Sequence, residues 1–163
     1  MSKRVFVRID NRLLHGQVVQ FWIPHLSVEK LLVADDEVFA SEAMQTIYRM
    51  ALPEHVRLSV MPTAELAANF LGLGAECALI LIRTIDNAMS ALKDGCTFER
   101  IMIGNVHASP ERKRITDAVY LSEHETSVLC EMKQRGVEIE IQTFPGEVLR
   151  LTPTEGGCTW LRC

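Results

Sequence analysis

Cys77-Ala78-Leu79-Ile80-Leu81-Ile82 is the most apolar stretch of the chain. Six residues are far short of the roughly 20 that a membrane-spanning helix needs. The run does not alternate between polar and apolar, so both of its faces are expected to be buried. That is the mark of a central strand in a parallel sheet with helices on both sides. Gly72 and Gly74 mark the turn that leads into it. Arg83 closes it and Thr84 caps a helix, whose buried stripe is Ile85, Ala88, Met89 and Leu92 and whose end is Gly95.

The same alternation extends in both directions. Towards the C-terminus, Arg100–Ile103 reads as a fifth strand, followed by Gly104-Asn105-Val106-His107 and a charged loop, Pro110–Arg114. Ala118–Leu121 reads as a short sixth strand. Ser122 and Glu125 form a capping box that opens a helix ending at Gly136, and Val137–Gln142 is a last strand. Towards the N-terminus, Val56–Met61 is the third strand, and its following helix is capped by Thr63. Lys30–Ala34 is the second strand, followed by a helix opening at Ser41 with Met44, Ile47, Tyr48 and Ala51 at helical spacing. Lys3–Ile9 is the first strand, and after its turn Val18, Phe21 and Trp22 suit a short helix that Pro24 stops. Strands alternating with helices predict a three-layer α/β fold with a mainly parallel, six- to seven-stranded sheet and right-handed crossovers. After Pro145 the pattern dissolves. The expected division is a single domain over 1–146 and a C-terminal tail over 147–163.

Composition narrows the function. The 163 residues carry a net charge of -4, which argues against nucleic acid as a partner because phosphate backbones need a basic excess. Met1–Arg4 leads straight into a strand pattern without a signal peptide, so a cytoplasmic protein is expected. The five cysteines are odd in number and lack zinc-like spacing. Reduced thiols, no metal and no cofactor are expected. Neither phosphate-binding glycine motif of nucleotide enzymes occurs, nor does the nucleophile elbow of hydrolases.

In an open parallel sheet the chemistry lies at the C-terminal ends of the strands. There the chain places Arg8-Ile9-Asp10-Asn11-Arg12-Leu13-Leu14-His15-Gly16-Gln17-Val18. One reading is a phosphate site in which the His15 imidazole is the nucleophile. The N–H groups of Gly16, Gln17 and Val18 would hold the phosphoryl oxygens. Arg8 and Arg12 would balance charge, and Asp10 would orient the loop or the ring. The plain alternative makes His15 a turn residue or helix cap, Arg12 a solvated charge and Asp10 an Asx-turn. Arg8 is either buried beside Asp10 or Asp35, or points out at the strand end. Asn105 and His107 add an amide and an imidazole at a second strand end, or simply form a turn with a surface histidine.

The motif from Arg8 to Val18 resembles the signature of IIB components of the mannose/sorbose family of the bacterial phosphoenolpyruvate-dependent sugar phosphotransferase system. Val33–Val38, Gly104–His107, Lys113–Thr116 and Val137–Ile139 extend the resemblance over about residues 3–146. It implies a Rossmann-like sheet of order 3-2-4-1-5-6, with the first strand between the fourth and fifth. It implies a protein-phosphohistidine–sugar phosphotransferase. His15, through Nδ1, would take a phosphoryl group from a IIA phosphohistidine and pass it to a sugar held by membrane IIC/IID components. Catalytic roles fall to His15, Arg12 and Asp10. Phosphate contacts fall to Arg8, Gly16, Gln17, Val18, Asn105 and His107. The carrier would be cytoplasmic, would visit the inner face of the membrane, and leaves room for a homo-oligomer. A phosphorylation-dependent regulatory or binding module on the same fold is the alternative. The Gly-Asn-x-His loop is more like the N-acetylgalactosamine/galactosamine branch than the mannose branch, and Gly156–Cys163 departs from the family's usual end.

Overall fold

A computed structural model describes residues 4–163. Lys3, expected to open the first strand, lies outside the described residues, as do Met1 and Ser2. The described elements are β1 (Arg4–Asp10), β2 (Lys30–Ala34), β3 (Arg57–Met61), β4 (Cys77–Ile82), β5 (Arg100–Asn105), β6 (Lys113–Arg114), β7 (Tyr120–Leu121), β8 (Glu138–Ile141), β9 (Leu149–Thr154) and β10 (Gly157–Arg162). Helix α1 is a π-helical segment, Val18–Trp22, running directly into an α-helical turn, Ile23–Leu26. The other helices are α2 (Asp36–Phe39), α3 (Glu42–Ala51), α4 (Leu66–Leu71), α5 (Ile85–Lys93) and α6 (Glu123–Gln134).

Among the described residues one eight-stranded sheet runs in the order β10-β9-β8-β5-β1-β4-β2-β3. Strands β3, β2, β4, β1, β5 and β8 are parallel. The expected apolar central strand is β4, with all six residues buried. Two apolar clusters sandwich the sheet, as an uncovered face on either side of β4 would demand. One packs Leu66, Phe70, Ile85, Met89, Leu129 and Met132 against the α4–α6 face. The other packs Trp22, Ile23, Val38 and Tyr48 against the α1–α3 face.

The capping box at Ser122 and Glu125 forms on both sides, and Thr84 accepts from Asn87 N–H as expected of a cap. Four local expectations change. Pro24 does not stop α1. It sits in the first turn of the α-helical part, where its missing N–H has no partner to lose, and the helix ends instead at Ser27 in the left-handed region (φ 54°). Thr63 does not cap α4. A short 3₁₀ turn, Thr63–Glu65, precedes that helix, and Asp36 takes the Thr63 N–H and hydroxyl. The segment Ala118–Leu121 does not join the main sheet. Its Tyr120–Leu121 pairs with Lys113–Arg114, and Val119 bridges Val106.

The fourth change is the largest. Residues 147–163, expected as a tail, form the antiparallel hairpin β9–β10 on the edge of β8. Leu151 is buried there, and Cys158 and Trp160 pack against the core beside it. The strand count therefore exceeds the six or seven expected. Cys158 also meets Cys130 of α6. Burial and that neighbouring thiol push Cys130 up to about 12.

Candidate functional site

The chain leaves β1 for β2 on one side of the sheet and reaches β5 on the other, so the C-terminal end of β1 is the switch point where ligands bind in such folds. The pairing of β1 with β5 is regular to Ile9↔Ile103, then jumps to Asp10↔Asn105. Gly104 is the extra residue of this bulge. The Arg8 guanidinium lies against the Gly104 backbone, in the space a β-carbon would occupy.

Asp10 ends β1 and is wholly buried. Its Oδ1 accepts the Arg12 N–H at 2.9 Å, the Asx-turn of the plain reading. Its Oδ2 lies 2.8 Å from His15 Nε2, accepts from Asn105 Nδ2 at 3.1 Å, and forms an ion pair with Arg8 Nε at 3.4 Å. Burial pushes this carboxyl up, but the bonds from His15, the Arg12 backbone and Asn105, with the Arg8 charge, outweigh it and hold it below its ordinary value. An ionised carboxylate only accepts. His15 Nε2 therefore carries the proton, and in the neutral ring the lone pair is on Nδ1. The His15 side chain is 13% exposed, so it stands at the surface of a buried polar cluster.

The turn that returns His15 to Asp10 is held by burial against backbone strain. Leu13 adopts φ 53°, and its side chain is fully buried. Its N–H donates to Asp10 O at 3.0 Å. A leucine in the left-handed region persists only where packing over-determines it. His15 O then accepts from Val19 N–H at 3.1 Å, starting α1. Gly16 and Gln17 fall in the first helical turn, and with Val18 their N–H groups lack intrahelical acceptors. A β-carbon on Gly16 would meet nothing within 4 Å beyond its own chain neighbours and helix backbone. Val18 is buried.

Arg8 is placed beneath the turn, with no exposed surface. It donates to Gln142 O at 2.7 Å and Thr143 O at 3.3 Å, and lies 4.8 Å from the Trp22 ring centroid. Burial lowers it to about 10 against the upward pull of Asp10, so it stays charged at neutral pH. Trp22 Nε1 donates to the same Thr143 O. Arg12, by contrast, is exposed and reaches Gln17 Oε1 at 3.2 Å.

Four residues outside the expected set complete the cluster. Asn11 uses all its polar groups. Its N–H donates to Asn105 O, Nδ2 donates to Arg83 O, and Oδ1 accepts His107 N–H. Its carbonyl accepts from Arg83 Nη1 at 3.4 Å. Arg83 also grips Asp35 through two bonds of 2.6 and 2.9 Å. Tyr48 meets the Leu14 backbone, and its burial raises the phenol. His107 itself is exposed at the end of β5. The strand order, unknown from residue types alone, is what brings these together.

A sequence model described as "PTS system sorbose subfamily IIB component" matches residues 4–150. The N-acetylgalactosamine-specific phosphotransferase enzyme IIB component 1 of Escherichia coli K12 is 30% identical over 145 residues, 88% of this chain and 92% of that protein. The E. coli K12 mannose-specific EIIAB component is 24% identical, over 83% of this chain and 42% of the relative. Among solved structures, the N-acetylgalactosamine-specific IIB component 1 from E. coli superposes with a TM-score of 0.77 at 28% identity, covering 89% and 95% of the two chains.

Proposed function

The chain belongs to the sorbose-type IIB family of the phosphotransferase system, and from that premise we propose that His15 is its phosphoryl acceptor. The supporting observation is the 2.8 Å contact of Asp10 with His15 Nε2. It leaves Nδ1 as the nucleophile. The family's place in a phosphotransferase system is consistent with a carrier of phosphoryl groups.

The first step breaks a P–N bond in a IIA phosphohistidine and forms one to His15 Nδ1. The ring then gains positive character, which the Asp10 carboxylate opposes at Nε2. The phosphoryl oxygens meet the N–H groups of Gly16, Gln17 and Val18 and the Arg12 guanidinium. Asn105 orders Asp10, and His107 supplies a second imidazole at the neighbouring strand end. Arg8 acts from below, by fixing Asp10 rather than by touching phosphate. The second step breaks the P–Nδ1 bond and forms a P–O bond to a sugar hydroxyl, whose proton is released. Catalysis of so loose a transition state is positioning and charge balance.

The EIIAB relative supports a IIA donor. No helix among the described residues is long and apolar enough to cross a membrane. In this reading sugar passage falls to IIC/IID partners, with the carrier at the inner face. The Gly104–His107 loop and the N-acetylgalactosamine-specific relative favour an N-acetylgalactosamine-type sugar. Radiolabel from phosphoenolpyruvate should reach the chain only with enzyme I, the phosphocarrier protein and IIA present, and His15→Ala should abolish it. Acid-labile phosphate persisting on that variant would overturn the assignment. Labelling without sugar phosphate in vesicles carrying IIC/IID would instead identify a regulatory module.

A further inference from the structure

His107 has an exposed side chain but a backbone fixed on both sides. Its N–H donates to Asn11 Oδ1 at 2.8 Å, and its carbonyl accepts from Arg112 Nη1 at 2.8 Å. Neither partner is free to move. Asn11 is tied to Asn105 and Arg83 at the ends of two other strands. Arg112 is held by Glu125 through bonds of 3.0 and 2.6 Å, and Glu125 is itself the capping-box residue of α6. The clamp therefore runs from the β1 turn through His107 to the start of α6. Backbone in an exposed loop is ordinarily satisfied by water. Here two charged or fully bonded side chains are committed to one exposed residue, beside the turn that carries His15.

We propose that Asn11 and Arg112 are positioning residues that clamp His107 by its backbone and so present its imidazole to the phosphoryl group transferred at His15. The inference rests on the reading of His15 as the acceptor. Asn11 sets the distance between the β1 and β5 ends. Arg112 sets the direction in which the loop leaves β5. His107 makes the contact. In such a site a displacement of about 1 Å costs on the order of 100-fold in rate.

The test is the single-turnover rate of transfer from phosphorylated IIA to the whole chain, for Asn11→Ala, His107→Ala and the double variant. Asn11→Ala should lower the maximal rate on the order of 100-fold with the half-saturating IIA concentration unchanged. It should cost nothing further on a His107→Ala background, because both act through one imidazole. Losses that multiply, an unaffected His107→Ala, or a change confined to the half-saturating concentration each overturn the proposal. Should Asn11→Ala fail to fold, Arg112→Gln carries the same comparison at the other side of the clamp and is read by the same criteria. Absence of His15 labelling in the unaltered chain would instead remove the acceptor reading itself.

Discussion

The Arg8 guanidinium lies against the backbone of Gly104, at the one point where β5 bulges away from β1. Any side chain at position 104 meets a guanidinium that cannot swing aside, because Gln142, Thr143, Asp10 and Trp22 hold it. Gly104→Ala should therefore destabilise the fold by about 1–3 kcal/mol, as overpacking does. Urea unfolding measures this. A variant as stable as the parent would show that Arg8 has a second resting place.

Asp10→Asn keeps the shape of the side chain and removes its charge. The amide no longer balances buried Arg8, and it need not select the Nε2–H tautomer of His15. Loss of one partner of a buried ion pair costs about 3–5 kcal/mol. Loss of the orienting carboxylate should lower phosphoryl acceptance by on the order of 100-fold. Denaturation and His15 labelling at matched temperature separate the two effects. Intact labelling in a destabilised protein would leave Asp10 a structural role only.

Asp35 gives a pH signature. Burial raises its carboxyl, but bonds from Arg83 and from the backbone of Val38 and Glu37 outweigh this and lower it below 3.8. A carboxyl held lower in the folded state than in the unfolded one stabilises the fold above its unfolded value, about 3.9. That contribution fades as pH falls through the folded value. Asp35→Asn should thus be less stable at pH 7 and should lose less stability on acidification below about pH 4. Urea midpoints across that range check it, and parallel acid curves for the two proteins would refute it.

Leu13 separates strain from packing. Leu13→Ala removes a buried side chain and keeps the left-handed backbone, at a cost of about 2–5 kcal/mol. Leu13→Gly removes the same side chain but relieves φ 53°. Glycine should therefore equal or exceed alanine here, the reverse of its usual standing. Thermal unfolding of the pair decides the matter.

The parallel sheet and the His15 turn were legible in the sequence, and the order 3-2-4-1-5 came with the family resemblance. Central strands announce themselves by unbroken apolarity, and the motif from Arg8 to Val18 is long. Asn11, Arg83 and Asp35 were not legible as one cluster. They follow the ends of three strands whose adjacency depends on crossovers, and each alone is an ordinary loop residue. Arg8 was ambiguous for a related reason. Its burial depends on Gly104 and on carbonyls more than 130 residues away in the chain. The β9–β10 hairpin escaped because Pro153 lies within β9, where proline argues against a strand except near an edge. Only Leu151 of that strand is fully buried.

The π-helical stretch Val18–Trp22 also acts as a ruler. A π-turn accommodates one residue more than an α-turn over the same rise, and Trp22 meets both Arg8 and Thr143 at its end. Removing that extra residue would leave an ordinary α-turn and change the sequence spacing between His15 and Trp22 at the two ends of the stretch. Anyone transplanting this histidine turn onto another sheet must carry the loop and the full π-turn as one cassette, together with a glycine on the receiving strand.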